Sequence, residues 1–260
     1  MLDEVVVSRA IIESYLKEIL EDLECDVVIC GAGPSGLCAS YYLSREGFRV
    51  VVFEKALRPG GGMPGGGMMF NKIVIQKESK PLLDELGVNT SVYQENYYVA
   101  SSLETLGVLL SQAIKKGARI YNCIAVEDVL IHDNKIKGVV INWSAVKMAD
   151  LHVDPMTIRS SFVVDATGHA AEVARVVSQK SGEKLFTPTG KVIGEKPMWA
   201  EEGEKAILVN TKEIFPQLYV CGMAANAVFG APRMGPIFGG MLLSGQKVAR
   251  LIADRLRAQK

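Results

Sequence analysis

Residues 26–54 read DVVICGAGPSGLCASYYLSREGFRVVVFE. The apolar run at 27–30 is strand-length, GAGPSG at 31–36 fits the spacing GxGxxG, and the next stretch suits a helix before FRVVVFE supplies a second apolar strand. Strand, glycine turn, helix and strand make one parallel βαβ unit. Gly31, Gly33 and Gly36 let the backbone approach a pyrophosphate held at the helix N-terminus. Glu54 falls roughly 20 residues beyond the turn, where a carboxylate accepts from a ribose hydroxyl. An acid there repels a ribose phosphate, so NAD or FAD is favoured over NADP.

Outward from this unit the chain is punctuated by glycine. PGGGMPGGGMM within 57–69 is too glycine-rich for regular structure and reads as a ligand-facing loop. Upstream, Ile12, Tyr15, Leu16, Ile19, Leu20 and Leu23 recur at helical spacing behind Ser8, predicting a leading amphipathic helix over 8–23. Downstream, 71–100 mixes strand-like pieces at 72–75 and 97–100 with a helical stretch at 81–86, the mark of an insertion. Ser101 and Glu104 stand at capping-box spacing, and Leu103, Leu106, Leu109, Leu110 and Ile114 give a helix whose apolar face stops at Gly117. Strands at 119–121, 125–131 and 138–144 follow, the last two joined by the turn HDN as a hairpin, with His132 on that turn read as exposed. A buried strand at 161–165 runs into Ala166, Thr167, Gly168 and His169. The polar stretch 182–210 reads as an exposed excursion, 217–221 as a strand, 229–240 as a second glycine-rich loop and 240–256 as a closing helix. The expected organisation is one dinucleotide-binding domain over 1–260, with β segments inserted at about 71–100 and 119–160.

Composition sets the boundaries of function. Lys and Arg total 29 against 29 Asp and Glu, which gives no bulk electrostatic reason to bind nucleic acid or an anionic membrane. No apolar run approaches the roughly 20 residues of a membrane span. The N-terminus lacks a basic region followed by an apolar core, so a cytoplasmic location is expected. The cysteines at 25, 30, 38, 123 and 221 form no CxxC pair and read as reduced packing residues.

The order GxGxxG, inserted hairpin, ATG, late strand and terminal helix resembles the flavoproteins related to glutathione reductase. The fold class expected is therefore α/β, a Rossmann-like dinucleotide-binding fold of the glutathione-reductase type with an inserted β-hairpin or sheet and terminal helices. In those enzymes the late strand usually ends in Gly-Asp, whose carboxylate holds the flavin. Here the pair is Gly222-Met223, which favours a relative that has given flavin up.

GAGPSG at 31–36, GGGMPGGGMMF at 60–70, LHVDP at 151–155, ATGH at 166–169 and RMGPIFGGM at 233–241 together resemble the thiamine thiazole synthase family over nearly the whole chain. The resemblance implies formation of an adenylated thiazole carboxylate from NAD, glycine and a sulfur source, with Fe(II). In the eukaryotic single-turnover members the position of His152 is a cysteine that gives up its sulfur. A histidine has none to give, so the resemblance is to the archaeal and anaerobic branch that uses free sulfide repeatedly. One departure is Met63-Pro64 between the glycine triplets, where relatives commonly carry an aromatic residue.

Residue by residue, the resemblance makes Asp154 and His169 the iron ligands; from composition alone both read first as capping or core-satisfying groups. N and O donors suit Fe(II) without excluding other divalent ions. His152 joins them as a catalytic residue through proton transfer, since an unperturbed imidazole titrates near neutral pH, or else is a solvated loop histidine. Arg233 can grip a small carboxylate through a planar two-point contact, or a phosphate; the family match makes it the glycine anchor. Ser35, Lys55, Gly62, Val126, Met223, His152 and Asp154 are expected along the nucleotide beside the glycine turn and Glu54, and Met234 and Gly235 let backbone come close to substrate. The family implies a homo-octamer with sites near subunit interfaces, for which the leading helix is a plausible surface. The competing readings are an FAD-dependent oxidoreductase of the same fold, a ribose-1,5-bisphosphate isomerase, and a non-enzymatic NAD- or iron-binding protein.

Overall fold

The computed structural model describes residues 1–259. The chain opens on α1 (Glu4–Glu21), then β1 (Glu24–Cys30), α2 (Pro34–Arg45) and β2 (Val50–Glu54). An excursion supplies β3 (Lys72–Gln76), α3 (Lys80–Leu86), β4 (Thr90–Gln94) and β5 (Tyr97–Ser101). Next come α4 (Ser102–Lys115), β6 (Arg119–Asn122), β7 (Ile124–His132), β8 (Lys135–Trp143), α5 (Ser144–Met148) and β9 (Met156–Asp165). The last third holds α6 (Glu172–Lys180), α7 (Ala200–Asn210), β10 (Lys212–Phe215), β11 (Leu218–Val220), α8 (Met223–Phe229) and α9 (Gly239–Arg257).

The main sheet runs β10-β11-β9-β1-β2-β6, with every neighbour from β11 to β6 parallel and β10 antiparallel at the edge. The hairpin of β7 and β8 attaches through an antiparallel pairing of β8 with the first half of β9. Residues 72–101 form a separate three-stranded sheet, β3-β5-β4. Because successive side chains of a strand face opposite ways, β1 feeds two cores. Val27 and Ile29 pack with Leu37, Leu43, Leu109 and Ile252 of the helices, whereas Val28 and Cys30 pack with Ile136, Val139 and Ile141 of the hairpin. The parallel strands thus end together at Cys30, Glu54, Asp165 and Val220, and the crevice beyond such carboxyl ends is where this class of sheet binds ligands.

Several expectations shift in register. The leading helix starts at Glu4 because the Asp3 carboxylate caps it, accepting from Val5 and Val6 N–H at 2.8 and 3.0 Å; the Ser8 hydroxyl instead donates to the Glu4 carbonyl. Of its predicted face only Ile19 is buried; Ile12, Leu16, Leu20 and Leu23 are exposed. In α4 the Ser101 hydroxyl accepts from Glu104 N–H at 3.3 Å, but the Glu104 carboxylate turns to Asn89 and leaves the capping box half closed. Its buried stripe is Ser102, Thr105, Leu109 and Ala113, with Leu103 and Ile114 exposed. The stretch 182–210 contains α7, unannounced because AEEGEK reads as polar surface; Ile207 is what docks it, against Met223 and Met234. Strand β4 is equally silent in sequence, being a polar, exposed edge. No described helix is long and apolar enough to cross a membrane.

Candidate nucleotide and substrate site

Beyond the strand ends lies a cavity of about 700 Å³. The βαβ unit contributes Gly31, Gly33, Ser35, Glu54 and Lys55 to its wall, and the first glycine loop adds Gly62 with its neighbours. Gly31 has φ +102°, and a Cβ there would stand 2.6 Å from the Ala166 carbonyl oxygen. Only glycine meets both conditions. Gly36 lies outside the wall: a Cβ on it would run into the Gly31 carbonyl, so it serves the packing of α2 onto the turn. Pro34 opens α2, where its missing N–H leaves no gap in the helix.

Glu54, 8% exposed, is held by two backbone donors: Ala32 N–H to Oε2 at 2.9 Å and Ala56 N–H to Oε1 at 2.8 Å. A carboxylate has about four acceptor positions, so two remain for a ligand hydroxyl. At the rim Lys55 pairs with Glu172, both lining the cavity. The glycine loop is tied down by Gly60 N–H to the Ala32 carbonyl at 2.7 Å and by Met63, which is fully buried in the helix-side core. Met63 therefore anchors the loop from below.

Gly222, with φ +62°, could not carry a Cβ without striking the Ser35 hydroxyl, and its N–H donates to Ser244 Oγ at 2.8 Å. Met223 follows at the cavity wall, a thioether in the position that follows the late-strand glycine. Val126 of β7 lines the cavity as well.

The turn after β9 is built on Asp165, a residue that sequence reading passed over. Its buried carboxylate accepts Thr167 N–H at 3.0 Å, Thr167 Oγ1–H at 2.6 Å and Ala174 N–H at 2.9 Å. Thr167 Oγ1 in turn accepts Glu172 N–H at 2.7 Å. Burial pushes the Asp165 carboxyl above its ordinary range against the pull of these bonds. The available signal was an acid ending an apolar strand just before a turn of small residues.

That turn delivers His169 into the cavity wall, which Arg233 of the second glycine loop also lines. Between them stands Glu195, which the sequence did not advertise inside its polar stretch. Its Oε1 lies 2.6 Å from His169 Nδ1 and its Oε2 4.0 Å from Arg233 Nε. Trp199 N–H donates to the Arg233 carbonyl at 3.0 Å, so α7 begins against the arginine loop.

His152 and Asp154 are placed elsewhere. Both are exposed on the connection between α5 and β9 and neither lines the cavity. The register Val126↔Ile141↔Met156 puts the end of that connection two strands out from Val126, roughly 10 Å. Among the described residues no group of three or more His, Cys, Asp or Glu could hold a metal. All five cysteines are free; burial raises the thiols of Cys30 and Cys38 and pushes those of Cys25 and Cys221 up to about 12. Thiols so raised are poor nucleophiles.

Comparison with known proteins places this architecture. The model of the Thi4 family matches residues 8–238. Thiamine thiazole synthase of Methanothermobacter thermautotrophicus is 54% identical over 256 residues, 98% of this chain and 99% of that protein. The thiamine thiazole synthase of Pyrococcus horikoshii is 51% identical over 258 residues, 99% of this chain and 100% of its own length. The crystal structure of Thermovibrio ammonificans THI4 matches with a TM-score of 0.97 at 48% identity, covering 99% of this chain and 100% of that one. With the glycine turn, the first glycine loop, the ATGH turn and most of the second glycine loop inside the matched region, the chain belongs to the Thi4 family.

Proposed function

We propose that this chain is a thiamine thiazole synthase that forms an ADP-thiazole carboxylate from NAD, glycine and free sulfide, with Fe(II). The observation that carries the reading is one cavity lined both by a dinucleotide turn with Glu54 and by Arg233 and His169. Met223, in place of a carboxylate, weighs against the flavin alternative.

In this reading the N–H groups at the start of α2 face the NAD pyrophosphate and Glu54 accepts from the adenosine ribose. Loss of nicotinamide leaves a carbonyl derived from the second ribose. Arg233 holds the carboxylate of glycine through two parallel N–H bonds, presenting its amine to that carbonyl. Condensation releases water, and sulfide from solution supplies the ring sulfur. His152 stands where a sacrificial cysteine stands in other members, so the protein emerges unchanged. Its imidazole is the group assigned to proton transfer during these steps.

The His169 half of the expected donor set suits iron: Glu195 engages Nδ1, which leaves Nε2 as the ring nitrogen for a metal. Fe(II), when bound, supplies Lewis acidity and a position for sulfide. Asp154 does not share that cavity within one chain, and we assign it to the site of a neighbouring subunit in a cytoplasmic homo-octamer. Exposed Leu151 and Val153 beside it, and Leu16 and Leu20 of α1, are apolar surface that such contacts would cover.

The test is anaerobic incubation with NAD, glycine, Fe(II) and sulfide, followed by mass spectrometry of small molecules and intact protein. Several equivalents of adenylated thiazole with unchanged protein mass are expected. Chemically unchanged NAD would leave a binding protein, and turnover of a pentose bisphosphate without NAD would indicate an isomerase.

A further inference from the structure

Residues 193–196 form a strap fastened on both sides. Ile193 and Gly194 donate to the Val228 and Ala227 carbonyls at 3.1 and 2.8 Å, while Lys196 N–H reaches the Ala231 carbonyl at 3.1 Å and its own carbonyl accepts from Arg233 N–H at 3.3 Å. Glu195 sits between these anchors with its side chain only 16% exposed. A side chain fixed in this way at the backbone is suited to orienting others. Its two carboxylate oxygens face two different groups of the cavity wall, His169 Nδ1 at 2.6 Å and Arg233 Nε at 4.0 Å. A carboxylate at Nδ1 keeps the ring proton there and leaves the Nε2 lone pair free for a metal, the arrangement that histidine ligands of metals generally require.

We infer that Glu195 is a positioning residue that sets His169 as an Nε2 ligand and holds the Arg233 guanidinium beside it, so that one carboxylate aligns the metal ligand with the substrate-carboxylate anchor. The inference rests on the metal-binding reading of His169. A purely structural Glu195 would stabilise the strap and leave metal affinity alone.

The experiment is anaerobic Co(II) titration of the full-length protein saturated with NAD, read by equilibrium dialysis and visible absorption, for the wild type and E195A, E195Q and H169A. E195A is expected to weaken Co(II) about 10–100-fold and to alter its absorption bands. E195Q, whose amide oxygen still accepts from Nδ1–H, recovers most of that affinity. In turnover, E195A raises KM for glycine more than it lowers kcat. Wild-type Co(II) affinity and spectrum in E195A, alongside their loss in H169A, would overturn the inference while leaving His169 as a ligand. Wild-type affinity in H169A as well would sink the metal reading and this inference together. Should E195A fail to fold, Glu195→Asp decides: its shorter side chain withdraws the acceptor from Nδ1, and undiminished Co(II) affinity there overturns the proposal.

Discussion

The Glu54 carboxylate accepts the Ala32 N–H at 2.9 Å, and that bond ties the end of β2 to the glycine turn at the end of β1. The other oxygen accepts Ala56 N–H at 2.8 Å, so the residue expected to read ribose is also a structural clasp. Glu54→Gln must set an amide N–H₂ against one of these backbone donors. The expected result is a loss of roughly 1–3 kcal/mol in stability together with at least about tenfold weaker NAD binding, since a tenfold change corresponds to about 1.4 kcal/mol. Thermal melts and calorimetric titration check the two parts separately. Unchanged NAD affinity would remove the ribose contact from Glu54 and leave only the clasp.

Gly33 and Gly36 separate ligand space from packing space. A Cβ on Gly33 meets no atom within 4 Å and its backbone is extended, with φ −72° and ψ 179°. A Cβ on Gly36 runs into the Gly31 carbonyl. Gly33→Ala should therefore melt like the wild type while binding NAD weakly, because its methyl projects at the cavity wall. Gly36→Ala should lose stability by about 1–3 kcal/mol, the usual effect of overpacking. Equal melting losses in both would show that Gly33 also serves packing.

How far the sequence carried this reading depends on where each signal is local. The βαβ unit was legible because Val27–Cys30 and Val50–Phe53 are continuous apolar runs around a turn whose Gly31 and Gly36 leave no room for a Cβ, and the hairpin because Asp133 and Asn134 take up left-handed backbone. Helix α7 was not, because its docking depends on Ile207 meeting Met223 and Met234, contacts between distant parts of the chain. Glu195 escaped for the same reason: its meaning lies in His169, 26 positions away, and nothing near Glu195 in sequence signals the pairing. His152 and Asp154 show the converse. Their motif was visible, yet both side chains are exposed and neither lines the cavity.

Asp165 gives a pH-dependent prediction. Its carboxyl is raised in the folded state by burial, so the folded protein holds that proton more readily than the unfolded chain. The contribution of the group to stability is then largest below the ordinary carboxylate value, falls as the pH rises to the elevated folded value, and is level above it. The amide introduced by Asp165→Asn does not titrate, and its nitrogen confronts either Ala174 N–H or the Thr167 donors. The substitution should lower stability, and the gap between wild type and variant should narrow as pH rises through the window above the ordinary carboxylate range. Denaturant melts from pH 4 to 8, as an approximate range around the ordinary carboxylate value, read this directly. A gap that widens with pH reverses the assigned shift.

The proposed glycine anchor, Arg233, gives a prediction about substrate binding. Its side chain is 54% exposed, its backbone is fixed through Lys196 and Trp199, and the cavity contains Gly235 next to it. A guanidinium presents two parallel donors to a carboxylate, whereas an ammonium offers a point charge without the fork. Arg233→Lys should therefore keep the charge and the fold but lose the two-point grip. KM for glycine should rise about tenfold or more, the scale of one charge-assisted hydrogen bond at about 1.5–3 kcal/mol, while the NAD dissociation constant stays within about twofold, because Glu54 and the α2 N-terminus are untouched. Steady-state turnover with glycine varied at saturating NAD, set beside NAD titration of the same variant, checks both. A selective rise in the NAD dissociation constant would instead make Arg233 a phosphate contact, the alternative that its residue type left open.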